Sequence, residues 1–244
     1  MSVSIDTHSR FHLSSQDPSE TNVIVMRLGS GASICAIALG KSLDTSMGLT
    51  PVSGLPGATR SGAIDPSLIF HYTNRAGRIS HDRALAVDVH VTEAEEILNK
   101  RSGWAALTGT TDFGEVVRRM KEVEEKRKRE EEITEDEGKW GRAFHLFLDR
   151  ILEFLGGYYV KLEGKVDALV FAGGIGERSI ELREAVIEKA KCLGFDLDVD
   201  VNRRVDNDDE AVVDIGKSRD GRRVLVCRTD EQVCLRESFQ SVRR

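Results

Sequence analysis

The chain has 244 residues, 40% of them hydrophobic, enough for one sizeable core or two small ones. Its net charge of -6 argues against nucleic acid as a partner, which would need a basic face, and no apolar run approaches the length of a membrane span. Met1 to Glu20 is polar with no apolar signal segment, and the four cysteines (Cys35, Cys192, Cys227, Cys234) lack CxxC spacing, so reduced thiols in a cytoplasmic protein are expected rather than a disulfide frame or a zinc site.

Residues 1–21 read as a disordered leader. Asn22 to Leu28 (NVIVMRL) predicts a strand, Gly29-Ser30-Gly31 a turn, and Ala32 to Leu39 a second strand. Gly40-Lys41 turns the chain into Ser42-Leu43-Asp44, the pattern of an antiparallel meander. Asp65-Pro66 precedes an apolar segment, Leu68-Ile69-Phe70. Thr92-Glu93-Ala94-Glu95 has capping-box spacing and opens a short helix that stops near Ser102-Gly103. Glu115 to Glu137 is a dense run of mixed charge, read as a solvated helical insertion over about 115–139, supported by i,i+4 pairs. Phe144, Phe147, Leu148, Ile151, Leu155 and Tyr158 recur at helical spacing and predict a long amphipathic helix with a core face. Val166 to Phe171 predicts a buried strand, Ala172 to Glu177 a glycine-rich loop, and Leu182, Ala185, Val186, Ala190 and Leu193 another helix. Arg223 to Cys227 predicts a last strand. No internal repeat is present.

Two segments carry chemistry rather than core. Asp44 to Pro51 (DTSMGLTP) and Gly57 to Pro66 (GATRSGAIDP) gather glycines, hydroxyls, one arginine and two aspartates. Such segments can hold backbone amides, hydroxyls and a guanidinium near an anion, and the planar donor fork of Arg60 suits phosphate or carboxylate. A polar loop with a solvated arginine has the same composition. Asp44 and Asp65 could equally satisfy turn amides. The strand, glycine loop and helix around residues 166–193 form a context in which amides can approach a phosphate or nucleoside, or in which Gly173 and Gly174 merely allow a tight turn.

Three antiparallel strands, then helices, then alternating strand and helix resemble half of an RNase-H-like nucleotide-binding fold. Five blocks sharpen this. Arg27 to Ser33 resembles the HLGNGAS phosphate loop of the acetokinase family, within the sugar kinase, Hsp70 and actin superfamily. Lys41 to Pro66 resembles that family's KSVDTSMGxTPLxGLxMGTRSGxIDP signature. Leu98 to Gly103 through Asp112 resembles LNKxSG…SSD, Val166 to Ser179 resembles VDALVFTAGIGENS, and Thr229-Asp230-Glu231 resembles TDEE. The resemblance implies an α/β fold of the actin-like ATPase type, a mixed sheet with an antiparallel start and flanking helices, over residues 22–244. It also implies reversible phosphoryl transfer between ATP and acetate, giving ADP and acetyl phosphate, with Mg2+. By position, Arg60 matches the arginine that stabilises the transition state. Arg27, Leu28, Gly29, Ser30 and Gly31 match the loop at the nucleotide phosphates. Asp112, Phe113 and Gly114 match the segment beside adenosine. Gly174, Ile175, Gly176, Glu177 and Arg178 match the loop against the nucleoside, and Glu231 matches a magnesium-holding acid.

The match has departures. Arg27 stands where the family has histidine, Ser30 where it has asparagine, Gly114 where it has arginine and Arg178 where it has asparagine. Arginine at 27 still offers charge to a phosphate, and serine at 30 presents one hydroxyl in place of an amide, while the changes at Gly114 and Arg178 are expected to weaken nucleotide binding or alter base preference. Only about twenty residues precede the phosphate loop, where the family has a whole N-terminal lobe that supplies further catalytic groups. This chain alone is therefore expected to be inactive, since two-lobed kinases close over their substrate. The alternative is a non-catalytic nucleotide-binding or interaction remnant, or a truncated gene model. Partners implied by the resemblance are ATP, a short-chain carboxylate, and either a second copy in a homodimer or the missing lobe.

Overall fold

The computed structural model describes residues 21–69, 92–205, 210–217 and 221–228; the expected leader up to Glu20, Phe70 and Thr229 to Glu231 lie outside them. Val23–Arg27 (β1), Ser33–Ala38 (β2) and Lys41–Thr45 (β3) form the predicted meander. The β2–β3 hairpin turns on Leu39 and Gly40, both at positive φ (49° and 72°), as a tight two-residue turn requires. β3 is a sheet edge and is largely exposed, with Lys41 at its start to discourage strand addition. Ala168–Ala172 (β4), Val212–Asp214 (β5) and Arg223–Cys227 (β6) complete a sheet of order β3-β2-β1-β4-β6-β5. β4 runs parallel to both β1 and β6, and the other pairings are antiparallel. The short β5 has no sequence signal strong enough to predict it.

Strand alternation divides the core. Ile24, Met26, Leu169, Phe171, Val224 and Val226 face the helices and join the main cluster. Ala168, Val170 and Leu225 form a smaller cluster on the opposite face. Because β4 is buried on both faces, it reads as a continuous apolar run rather than an alternation.

The helices are Glu93–Lys100 (α1), Gly103–Thr108 (α2), Phe113–Lys128 (α3), Glu135–Lys161 (α4), Gly173–Arg178 (α5), Ile180–Ala190 (α6) and Val199–Arg204 (α7). α1 opens as predicted, with the Thr92 side chain accepting from the Glu95 amide at 3.2 Å. The predicted apolar stripe of α4 is buried throughout, from Phe144 to Tyr158, and packs on β1, β2 and helices α2, α3 and α6. The charge run is divided between two helices. Val116, Val117, Met120 and Val123 of α3 are buried, so one face of the first helix belongs to the core rather than to solvent. Its surface carries the expected pairs, such as Arg118–Glu122 at 2.7 Å, each worth about 0.3–0.5 kcal/mol.

The chain breaks between α3 and α4 at a reciprocal capping box. Thr134 Oγ1 accepts from the Glu137 amide at 3.2 Å, and Glu137 accepts from the Thr134 amide at 3.0 Å. A short contact from Lys126, then the Thr134 bonds, hold the Glu137 carboxyl down at about 2, below its ordinary 4.5. A carboxyl held low stabilises the fold above its unfolded value and loses that contribution as pH falls through the folded one. The melting-temperature gap between wild type and Glu137→Gln should therefore be full above pH 4.5 and close progressively as pH falls toward about 2. A gap that does not shrink over that window would show that the capping box contributes nothing through its charge.

Candidate functional site

β1 and β4 are adjacent and parallel, with Arg27 in register with Ala172. Their carboxyl ends therefore release the next two segments, Leu28 to Gly31 and Gly173 to Arg178, side by side. This is the edge at which open α/β sheets bind ligands. Leu28 joins the two segments. Its amide donates to the Ala172 carbonyl at 2.7 Å, and its carbonyl accepts from the Ile175 and Gly176 amides at 2.9 and 3.1 Å. Those two amides are thus committed to the protein and cannot also cradle a phosphate. The expected glycine-rich loop is instead helix α5, entered through Gly173 at φ 77°. A Cβ there would stand 2.8 Å from the Leu28 carbonyl oxygen, so only glycine allows the approach.

The signature segment docks on the 29–31 turn. The Ala58 amide donates to the Ser30 carbonyl at 2.8 Å, and the Gly57 amide to the Arg60 carbonyl at 3.0 Å. The half-buried Arg60 guanidinium lies over Gly31, where an added Cβ would stand 2.1 Å from Nη2. It has no ion-pair partner among the described residues. A third segment backs the second. Ser61 N–H donates to Leu98 at 2.9 Å, Ser102 N–H to Thr59 at 2.9 Å and Ala105 N–H to Ala58 at 2.9 Å. Gly103, at φ 68°, makes this possible, since a Cβ would stand 2.1 Å from the Gly57 carbonyl oxygen. The blocks of sequence that looked like separate motifs form one stack of loops.

A cleft of about 1180 Å³ opens beside this stack. Gly29 and Ser30 form one side, Asp112, Phe113 and Gly114 the second, and Gly174, Ile175 and Arg178 the third. These expected residues come together as the motifs imply. Asp112 caps α3, its Oδ1 accepting from the Gly114 amide at 2.9 Å. Phe113 is buried, and its ring packs edge-on to Trp104 at 5.2 Å. Arg27, Leu28, Gly31, Gly176, Glu177 and Arg60 do not line this cleft. Arg27 is exposed at the end of β1, Leu28 and Gly176 are buried, and Arg60 reaches the turn through Gly31. Glu231 lies outside the described residues.

Sequence reasoning missed the charged wall contributed by α3. Lys121 Nζ bonds Glu181 Oε1 at 2.7 Å, linking α3 to α6 along the cleft. Partial burial pushes the Glu181 carboxyl up, but Lys121, a backbone amide and Arg183 together outweigh it and the carboxyl ends below its usual range; Lys121 is held above its own. Both partners are partly exposed, so this pair is screened by salt. Asp44 and Asp65, left open between site and turn roles, both satisfy turn amides. Thr45 N–H donates to Asp44 at 2.7 Å, and Ser67 N–H to Asp65 at 2.8 Å. Asp44 is further pinned by Lys161 of α4, which lowers its carboxyl. Burial, with Glu177 adding, pushes the Cys227 thiol up to about 12, which disfavours the reactive thiolate. No helix among the described residues is long and apolar enough to cross a membrane.

The family model described as the Acetokinase family matches residues 7–237. A protein named "Probable acetate kinase" from Emericella nidulans is 53% identical over 215 residues, covering 87% of this chain and 47% of that protein. The crystal structure of Porphyromonas gingivalis acetate kinase superposes with a TM-score of 0.73 at 29% identity, over 93% of this chain and 50% of that one. A propionate kinase from Francisella tularensis subsp. tularensis gives 0.66 at 34% identity, over 88% and 47%. The chain spans about half the length of the curated relatives it matches.

Proposed function

Because this chain belongs to the acetokinase family, we propose that it forms the nucleotide side of a phosphotransferase that moves the γ-phosphoryl group of ATP to a short-chain carboxylate, with acetate the first choice. A carboxylate oxygen attacks the γ-phosphorus, the bond to the bridging oxygen breaks, and ADP and an acyl phosphate result. Such a transfer needs placement in line and stabilisation of charge on the moving group. Gly29 and Ser30 would meet the phosphates. Asp112 to Gly114 and Gly174, Ile175 and Arg178 would meet the nucleoside. Arg60, which has no ion-pair partner among the described residues, would stabilise the transferring group.

One observation carries the reading. The residues matched by position to the phosphates, adenosine and nucleoside include members of three separate sequence blocks that line a single cleft. The arginine lies over the same turn. Magnesium, which the family's chemistry calls for, finds no cluster of three acidic, histidine or cysteine side chains among the described residues. The ion would rest mainly on phosphate oxygens, as is usual for magnesium.

Calorimetry with MgATP tests the reading. Saturable binding that weakens in Gly174→Trp, which fills the cleft, is the expected result. No heat and no thermal shift at millimolar nucleotide would overturn it.

A further inference from the structure

A buried side chain remote from the cleft, braced by a second, reaches the helix that lines it. Arg183 of α6 is 1% exposed and Asn202 of α7 is 0% exposed. Arg183 Nε donates to Asn202 Oδ1 at 2.6 Å, and Nη2 to the Asn202 carbonyl at 3.1 Å. Nη1 donates to the Gly176 carbonyl at 2.9 Å and also to the Glu177 carbonyl. Asn202 Nδ2 donates back to the Ile180 carbonyl at 3.4 Å.

The chemistry of helix ends explains the arrangement. The last carbonyls of a helix have no partner within it, and a cation there is favoured. α5 is only six residues long, too short to hold its own geometry. Its amides near the start are held by the Leu28 carbonyl, and its carbonyl end is held by Arg183. Gly174, Ile175 and Arg178, the α5 residues that line the cleft, sit at or directly beside these two attachments. Burying a guanidinium is costly unless its donors are matched, so this placement leaves α5 little room to turn.

We propose that Arg183 and Asn202 form a positioning clamp: by holding the carbonyl end of α5 they set how Gly174, Ile175 and Arg178 meet a nucleotide, and so set its affinity. The affinity half of this proposal rests on the nucleotide reading of the cleft. Neither residue lines the cleft; Arg183 acts through α5, and Asn202 acts by holding Arg183.

Amide hydrogen exchange and MgATP calorimetry on the same chain separate the possibilities. Arg183→Met should speed exchange over residues 173–178 by at least about tenfold relative to β4 and weaken MgATP about tenfold. Arg183→Lys keeps the charge but not the fork, and should fall between wild type and Arg183→Met; it also serves if Arg183→Met does not fold. Val186→Ala, in the core of the same helix, should lower the melting temperature while leaving both readings unchanged. Wild-type exchange and affinity in the Arg183 variants would overturn the clamp. So would equal changes in Val186→Ala. Failure of wild type to bind MgATP would overturn the nucleotide reading and the affinity role, and exchange over 173–178 would still decide whether the clamp holds α5.

Discussion

Trp104→Ala is expected to destabilise the protein by about 3–5 kcal/mol, the range for truncating a buried large aromatic. For a chain of this size that corresponds to a fall of roughly 6–20 °C in melting temperature. The indole is buried against Phe113 and Phe147 at 5.2 and 5.3 Å, and its N–H donates to the Thr111 carbonyl at 3.3 Å. It is also the second residue of α2, directly after Gly103, and its own amide donates to the Gly57 carbonyl at 3.3 Å. The tryptophan therefore joins the core under α3 and α4 to the loop that carries Arg60. Thermal unfolding followed by circular dichroism checks the size of the loss. Trp104→Phe, which keeps most of the buried area, should lose less than half as much. A loss under about 1 kcal/mol for Trp104→Ala would show that the aromatic cluster is not the support of the loop stack.

Gly31→Ala is expected to weaken anion binding by about ten- to a hundredfold, with little change in melting temperature. The new Cβ would stand 2.1 Å from Arg60 Nη2. That atom is the far end of a flexible side chain, so the guanidinium swings away and the backbone stays. What is lost is a charge-assisted hydrogen bond to the ligand, worth about 1.5–3 kcal/mol. Arg60→Ala should match it, and the double variant should be no worse than either single one, because both remove the same contact. Calorimetry with MgATP and with inorganic phosphate measures this. Additive losses in the double variant would mean that Gly31 acts independently of Arg60.

These two positions show different degrees of legibility. Arg60 stood out because a lone arginine among glycines and hydroxyls has no core to serve. Gly31 was visible as part of a turn, but its task as the seat of a guanidinium depends on a residue 29 positions later. Trp104 gave no functional signal, since a tryptophan near a helix start is ordinary core in any sequence. Arg183 was hidden for the opposite reason. An arginine in a helix with Glu181 and Glu184 beside it reads as surface, and only packing against α7 buries it.

The meander, the long helix from Glu135 to Lys161 and the strand at 168–172 followed from local pattern: short β-branched runs, a stripe of Phe, Leu and Ile at helical spacing, and glycines at the turns. Such features are encoded within a few residues, so the amino-acid order alone determined them. Whether 173–178 would be loop or helix was different. A glycine-rich hexamer has little intrinsic preference, and the Leu28 carbonyl together with Arg183 decided it from outside. The same holds for the cleft. Three blocks of residues acquire a common surface only because β1 and β4 lie side by side and parallel, and that pairing is a long-range event that no local window contains.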